Sequence, residues 1–375
     1  MAFSPRGGNA IVLFNIAIPN ELCYDFTKDS FYGRRIMQLS TILVTAVNAI
    51  APIVLMIALG YFLRHKGMLG DGFLKNGNKL VFKLCLPSML FVNVYNVPSL
   101  ADIHWDIVLY GSAALCIIFL LGICISLVTT PDLRRRGVVA QCSFRSNFAI
   151  IGLPLAAALG GPEAEAVAAV MSSVTVPLIN ILAVIALSMF VQESGKVSVK
   201  RILLDIVKNP LIQGVALGVT CLVLRWMQVE IWGEVLFALN QQTEFFYTVL
   251  TWLKNITTPL ALLVLGGQFV FSAVKELKKE IVVSTLCRLV LAPAIGITGA
   301  FLMNKLGLVR CGSAAYPALV ALFASPVAVS SAIMAKEMKN DEQLATQLVV
   351  WTTLFSAVTI FFIVCILMAL GLIAV

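Results

Sequence analysis

Charge is scarce in this chain. Only 12% of its 375 residues are Asp, Glu, Lys or Arg, against roughly 25% in a soluble domain. Together with 60% hydrophobic residues and a mean hydropathy of +0.96, this excludes an ordinary soluble protein. The apolar runs are of helix length, and an α-helix satisfies its own backbone in lipid, so the fold class is an all-α polytopic membrane protein. Histidine is almost missing: His65 and His104 both fall near the ends of apolar runs, which leaves little for a zinc site or a Ser-His dyad. The nine cysteines contain no C-x-x-C pair and read as small buried hydrophobes, with neither a disulfide frame nor a metal site. There is no G-x-x-x-x-G-K-[ST], H-E-x-x-H or G-x-S-x-G, so no ATP motor, zincin or nucleophile elbow is expected. No cofactor and no catalytic residue is expected. No carboxylate lies deep in an apolar run: Asp205 is near the start of one, and Glu163 and Glu165 stand in a loop. Proton coupling through a buried carboxylate is therefore disfavoured. The net charge of +8 belongs to loops that meet anionic lipid, and nucleic acid is not an expected partner.

What is present is a succession of ten apolar spans, at about Leu43–Leu63, Phe73–Asn96, Trp105–Val128, Gly137–Gly160, Ala164–Val191, Leu203–Leu224, Phe246–Phe271, Ile281–Asn304, Ser313–Ala335 and Leu348–Val375. Residues 1–40 read as a non-membrane extension: Ala10 to Pro19 is too short to span, a signal peptide is not expected, and Met37 is a candidate functional start. Between the sixth and seventh spans, Val229 to Glu244 carries Ile231, Trp232, Val235, Leu236 and Leu239 on one face, the pattern of an interfacial amphipathic helix. Lys and Arg concentrate in alternate loops, at Arg64 and Lys66, Arg134 to Arg136, Lys196 to Arg201, Lys275 to Lys279, and Lys336 with Lys339. The positive-inside rule then places both termini outside a plasma (inner) membrane.

The chain also reads as duplicated, residues 41–192 forming one five-helix repeat and 203–375 a second, joined by a loop at 193–202. Pro52 and Gly60 in the first span match Pro210 and Gly218 in the sixth, Pro87 matches Pro259, and Pro154 matches Pro326. The last two pairs share an offset of 172 residues. Five helices per half give the halves opposite topology, an inverted repeat of the kind that supports alternating access. Against this stands chance, since prolines are common in membrane helices.

Two spans are interrupted. Arg145-Ser146-Asn147 and Gly152-Leu153-Pro154 sit inside the fourth, and Ser325-Pro326 inside the ninth. Such breaks are tolerated where they are buried in protein or line a water-filled cavity, and a matched pair of them points to a transporter's binding site.

These motifs resemble the auxin efflux carrier family, the plant PIN proteins and their bacterial relatives. The resemblance rests on Leu86-Pro87-Ser88-Met89-Leu90-Phe91, Ser146-Asn147 with Gly152-Leu153-Pro154, Asn209-Pro210-Leu211-Ile212 with Gly218, Pro259-Leu260-Ala261-Leu262 with Gly266, and Ser325-Pro326. It implies ten transmembrane helices as a five-plus-five inverted repeat, with helices four and nine unwound and crossing at their prolines. Spans one, two, six and seven would form a scaffold and the others a moving transport domain. It also implies a small organic anion as substrate, auxin in plants and malate- or malonate-like dicarboxylates in some bacterial members. The short loop at Glu193 to Arg201 favours a bacterial-type or short member.

Arg145, Ser146, Asn147, Gly152, Pro154, Ser325, Pro326 and Ser330 are the candidate substrate-binding residues. Asn147 is either a substrate contact or an interhelical hydrogen bond. Arg145, and likewise Arg288, is either an anion contact or a snorkelling or helix-packing residue. Lys75, Lys79 and Lys83 read as an interfacial stripe. Broken-helix N-termini meeting near the midplane would form an anion site without any basic side chain, held open by Gly152, Pro154, Ser325 and Pro326. A sodium ion could use Ser172, Ser173, Thr175, Asn180, Ser330 and Ser331; sodium, a proton and a second copy of the chain remain candidate partners. A secondary transporter is the first expectation, and a passive anion channel or receptor-like module on the same fold the second.

Overall fold

The computed structural model describes residues 44, 51–96, 105–190 and 199–373. The proposed N-terminal extension and the Met37 start lie outside the described residues. The elements are α1 (Ala51–His65), α2 (Asp71–Leu80), α3 (Leu86–Tyr95), α4 (Trp105–Thr129), α5 (Leu133–Phe144), α6 (Leu153–Phe190, two helical segments that meet at a kink where Gly160 and Gly161 leave helical geometry), α7 (Val199–Lys208) and α8 (Pro210–Trp232). Then come the one-turn α9 (Leu239–Gln242), α10 (Glu244–Gln268), α11 (Ala273–Leu286), α12 (Ala292–Lys305), α13 (Ala315–Ala324), α14 (Ser330–Glu337) and α15 (Glu342–Ala369). Among the described residues no strand forms, and six helical stretches are long and apolar enough to cross a membrane. Two shorter apolar helices, α1 and α13, accompany them.

Three π-type turns, Val81–Cys85, Phe148–Gly152 and Cys287–Leu291, are each followed two residues later by a proline: Pro87, Pro154 and Pro293. The coincidence has a steric cause. A proline ring crowds the carbonyl four residues before it, which here lies within the widened turn, and the missing N–H leaves that carbonyl unpaired in any case. Capping is local elsewhere. Asp132 accepts from the Arg134 N–H at 2.8 Å, Asn209 from the Leu211 N–H at 3.0 Å just before Pro210, and Asp341 from the Leu344 N–H at 2.9 Å.

Glycines set the closest helix contacts, since without a Cβ two backbones can meet directly. A Cβ at Gly60 of α1 would run into the Leu263 carbonyl of α10, and one at Gly266 of α10 into the Ile57 carbonyl of α1. In the same way a Cβ at Gly214 of α8 would stand 2.5 Å from the Pro87 carbonyl oxygen, and one at Gly218 3.0 Å from that of Phe91 on α3. The α1–α10 and α3–α8 pairs are thus built alike. Moreover, Gly60 and Gly218 are the glycines of the duplicated proline–glycine spacing, and Phe91 and Leu263 are separated by the 172-residue offset.

At the centre lie the interrupted helices. Every residue of α13 is buried, as is α5 from Gly137 to Phe144. The amphipathic helix expected over Val229 to Glu244 does not form as a unit. Ile231 and Trp232 finish α8, which ends at Gly233 with φ 78°, and only the turn α9 follows. The left-handed glycine stops the helix before a second apolar turn can be added.

Candidate functional site

The backbone opens at Arg145, Ser146 and Asn147 between α5 and the π-type turn, and at Ser325 to Val329 between α13 and α14. The two openings lie antiparallel. The Asn147 N–H donates to the Pro326 carbonyl at 2.8 Å, and the Ala328 N–H donates to the Arg145 carbonyl at 3.3 Å. Two short unwound stretches thus satisfy each other where lipid could not.

This geometry corrects the expected position of the first break. Asn147 stands in the opening itself, and Gly152-Leu153-Pro154, expected to hold the break open, lies beyond it. Pro154 is an exposed residue just past the Phe148–Gly152 turn, whose widening accommodates its ring and missing N–H. The reciprocal hydrogen bonds relate 145–147 to 326–328, an offset of 181, so the Pro154–Pro326 match at 172 does not describe the crossing.

Arg288 holds the frame. Its side chain is fully buried, and its guanidinium donates to four carbonyls: Ser325 at 2.9 Å, Phe144 at 2.9 Å, Leu322 at 3.0 Å and Phe323 at 2.8 Å. These are the C-terminal ends of α5 and α13, whose carbonyls have no intrahelical partner and carry the negative end of each helix dipole. One planar cation therefore caps both ends. Of the two roles open for Arg288, helix packing is the one the geometry gives.

Arg145 differs. It is 2% exposed, so it does not snorkel to the lipid surface. It donates to Asn180 Oδ1 at 2.9 Å, Ser330 Oγ at 2.8 Å and Met334 Sδ at 2.6 Å, while its Nε has no partner. None of these is a carboxylate, and no ion pair to Arg145 occurs among the described residues. A buried cation satisfied only by neutral groups leaves its charge uncompensated.

A cavity of about 50 Å³ lies at the crossing, lined among others by Arg145, Ser146, Asn147, Asn180, Thr257 and Ser330. The Asn147 amide makes no hydrogen bond among the described residues, whereas its backbone is fully used. Four of the eight candidate residues thus line one cavity. The others stand apart from it. Gly152 lets the π-type turn approach α13, because a Cβ there would sit 2.9 Å from the Ala321 carbonyl oxygen. Ser325 is buried, with its hydroxyl on the Ala321 carbonyl at 2.6 Å. Pro326 supplies the carbonyl that Asn147 uses, and Pro154 faces away. Of the sodium candidates, Ser172, Ser173 and Thr175 donate to carbonyls of their own helix, and Asn180 and Ser330 are already engaged by the Arg145 guanidinium. Thr257, Thr258 and Lys254, which the spans and breaks did not single out, also face this region. For Lys254 the signal was a lone charge inside the apolar run of α10.

The cavity opens unequally. Through Met89, Leu90, Ala149, Ile150, Val176 and Thr258 it adjoins a vestibule of about 420 Å³ that reaches Asn96. Toward the opposite end, α2 and α14 are held together by Asn78 Nδ2 donating to Glu337 Oε1 at 3.0 Å. That end also carries the ion pairs Arg135–Asp341 at 3.0 Å and Lys336–Glu342 at 2.7 Å.

Two comparisons bear on identity. A membrane transport protein family model matches residues 45–364. An uncharacterized transporter of Methanocaldococcus jannaschii is 24% identical over 319 residues, covering 84% of this chain and 96% of that protein. With most of its length matched, including both broken helices, the chain belongs to the membrane transport protein family, that of the auxin efflux carriers.

Proposed function

We propose that this protein is a secondary transporter for a small organic anion, a mono- or dicarboxylate of malate, malonate or auxin type, working by alternating access. The observation that carries the reading is Arg145: a buried guanidinium with no carboxylate partner, beside the free Asn147 amide, at the crossing of two broken helices. A carboxylate would complete its charge and take charge-assisted hydrogen bonds. The N-terminal ends of the Phe148–Gly152 turn and of α14 line the same cavity and add positive dipole ends there.

In this reading ten helices make two inverted repeats, residues 41–192 and 203–375, joined at 193–202. The reciprocal hydrogen bonds at the crossing and the matching glycine contacts of α1–α10 and α3–α8 support it. The lysine- and arginine-rich loops face the cytoplasm, both termini lie outside the plasma membrane, and the vestibule at Asn96 faces outward. The narrowing at the crossing and the closed contact at Asn78–Glu337 favour a carrier over an open channel.

The test is a thermal-shift screen of the purified protein with mono- and dicarboxylates. A ligand at a hundredfold excess over Kd stabilises the folded state by about 2.7 kcal/mol. The shift is expected to vanish in Arg145→Gln and to weaken in Asn147→Ala. No shift with any carboxylate, or a shift that survives Arg145→Gln, would remove the anion site from the crossing. Counterflow in proteoliposomes separates the carrier from a passive channel, which shows none.

A further inference from the structure

The crossing cavity beside Arg145 and Asn147 shares Met89, Leu90, Ala149, Ile150, Val176 and Thr258 with the adjoining vestibule, so a substrate seated on Arg145 has open space toward it. That vestibule is lined by apolar side chains together with polar ones, Asn93, Asn96, Ser172, Ser173 and Asn255, and Lys254 is the charged residue of its lining. Lys254 is half-buried, has no ion pair or hydrogen bond among the described residues, and faces no carboxylate in the vestibule lining. It lies four residues before Thr258 on α10, hence on the same helix face and about 6 Å along the axis, and Thr258 lines both cavities.

We infer that Lys254 is a specificity-determining residue that meets the far end of the substrate and selects a dianion. This rests on the organic-anion reading above. One carboxylate sits on Arg145 and Asn147; the second, carried on a short polar chain, reaches the ammonium group of Lys254. The site then discriminates by charge. A lysine suits this outer role, because its flexible stem and point charge follow a carboxylate without a fixed bidentate geometry.

The experiment uses proteoliposomes of the full chain and two probes of similar shape, malonate and its monomethyl ester, which carries one negative charge fewer. The wild type is expected to prefer malonate. Lys254→Gln should raise the half-saturating malonate concentration roughly tenfold, the equivalent of one lost charge contact, and leave the half-ester nearly unchanged. Lys254→Arg should retain the preference. If Lys254→Gln impairs both probes equally, or neither, Lys254 does not read the second charge and the inference falls. If the wild type carries neither probe, and neither protects it thermally in an Arg145-dependent way, then the organic-anion reading has failed first, and this inference falls with it.

Discussion

Removing Arg288 should unfold the crossing without touching the ligand. Its guanidinium serves the carbonyls of Phe144, Leu322, Phe323 and Ser325, all in the buried centre. A buried acceptor left unpaired costs about 1–3 kcal/mol, so Arg288→Met exposes roughly 4–12 kcal/mol of unmet hydrogen bonding at four such groups. Against this, deleting a cation that has no anionic partner relieves a desolvation cost of several kcal/mol. The net destabilisation is expected to be about 3–5 kcal/mol, the usual range for breaking a buried charged network. At about 2–4 °C per kcal/mol for chains of somewhat smaller size, the melting temperature should fall on the order of 10 °C. Arg288→Lys should recover part of the loss, because an ammonium keeps the charge but lacks the planar fork that reaches both helix ends. The assay is thermal unfolding of the detergent-purified variants, with ligand-induced stabilisation measured on each. Arg288→Met within about 2 °C of wild type, yet blind to ligand, would show that Arg288 is a substrate contact and that the frame stands without it.

Arg145 should behave in the opposite sense. Arg145→Gln removes an uncompensated buried charge, so its melting temperature without ligand should stay within about 3 °C of wild type or rise, while stabilisation by carboxylates is lost. Gly266→Ala brings a methyl group onto the Ile57 carbonyl of α1, and overpacking of this kind should cost about 1–3 kcal/mol; a melting temperature equal to wild type would mean that α1 and α10 slide freely. Asn78→Asp places a carboxylate against Glu337, and the repulsion should loosen α14 from α2, read as amide exchange in α14 several-fold faster than in wild type. Unchanged exchange there would show that this contact does not keep that end shut.

Much of this protein is legible along the chain. Low charge, long apolar runs and the alternation of basic loops settle that it is a helical membrane protein, because lipid permits few alternatives. The rarity of Arg145 and Asn147 inside such a run marks the neighbourhood of the crossing, for the same reason. The exact opening was not legible. Gly152-Leu153-Pro154 looks like the stronger helix breaker, yet a π-type turn absorbs Pro154 and the backbone opens at Arg145 to Asn147. Local propensity cannot foresee this, because the opening is set by exchange of hydrogen bonds with Pro326 and Ala328, far along the chain.

The two buried arginines make the same point. In sequence Arg145 and Arg288 are equivalent, each a single cation inside an apolar span. Tertiary structure alone separates them, because their partners lie far away: Phe144 is 144 residues from Arg288, and Ser330 is 185 residues from Arg145. Arg288 meets carbonyls at helix ends, which bear partial negative charge and satisfy it. Arg145 meets neutral side chains around a cavity, and its charge stays available to an anion. The chain alone places each of these charges inside an apolar, membrane-spanning run; that both are buried, which one is structural and which faces a cavity was settled only when two distant broken helices were brought together.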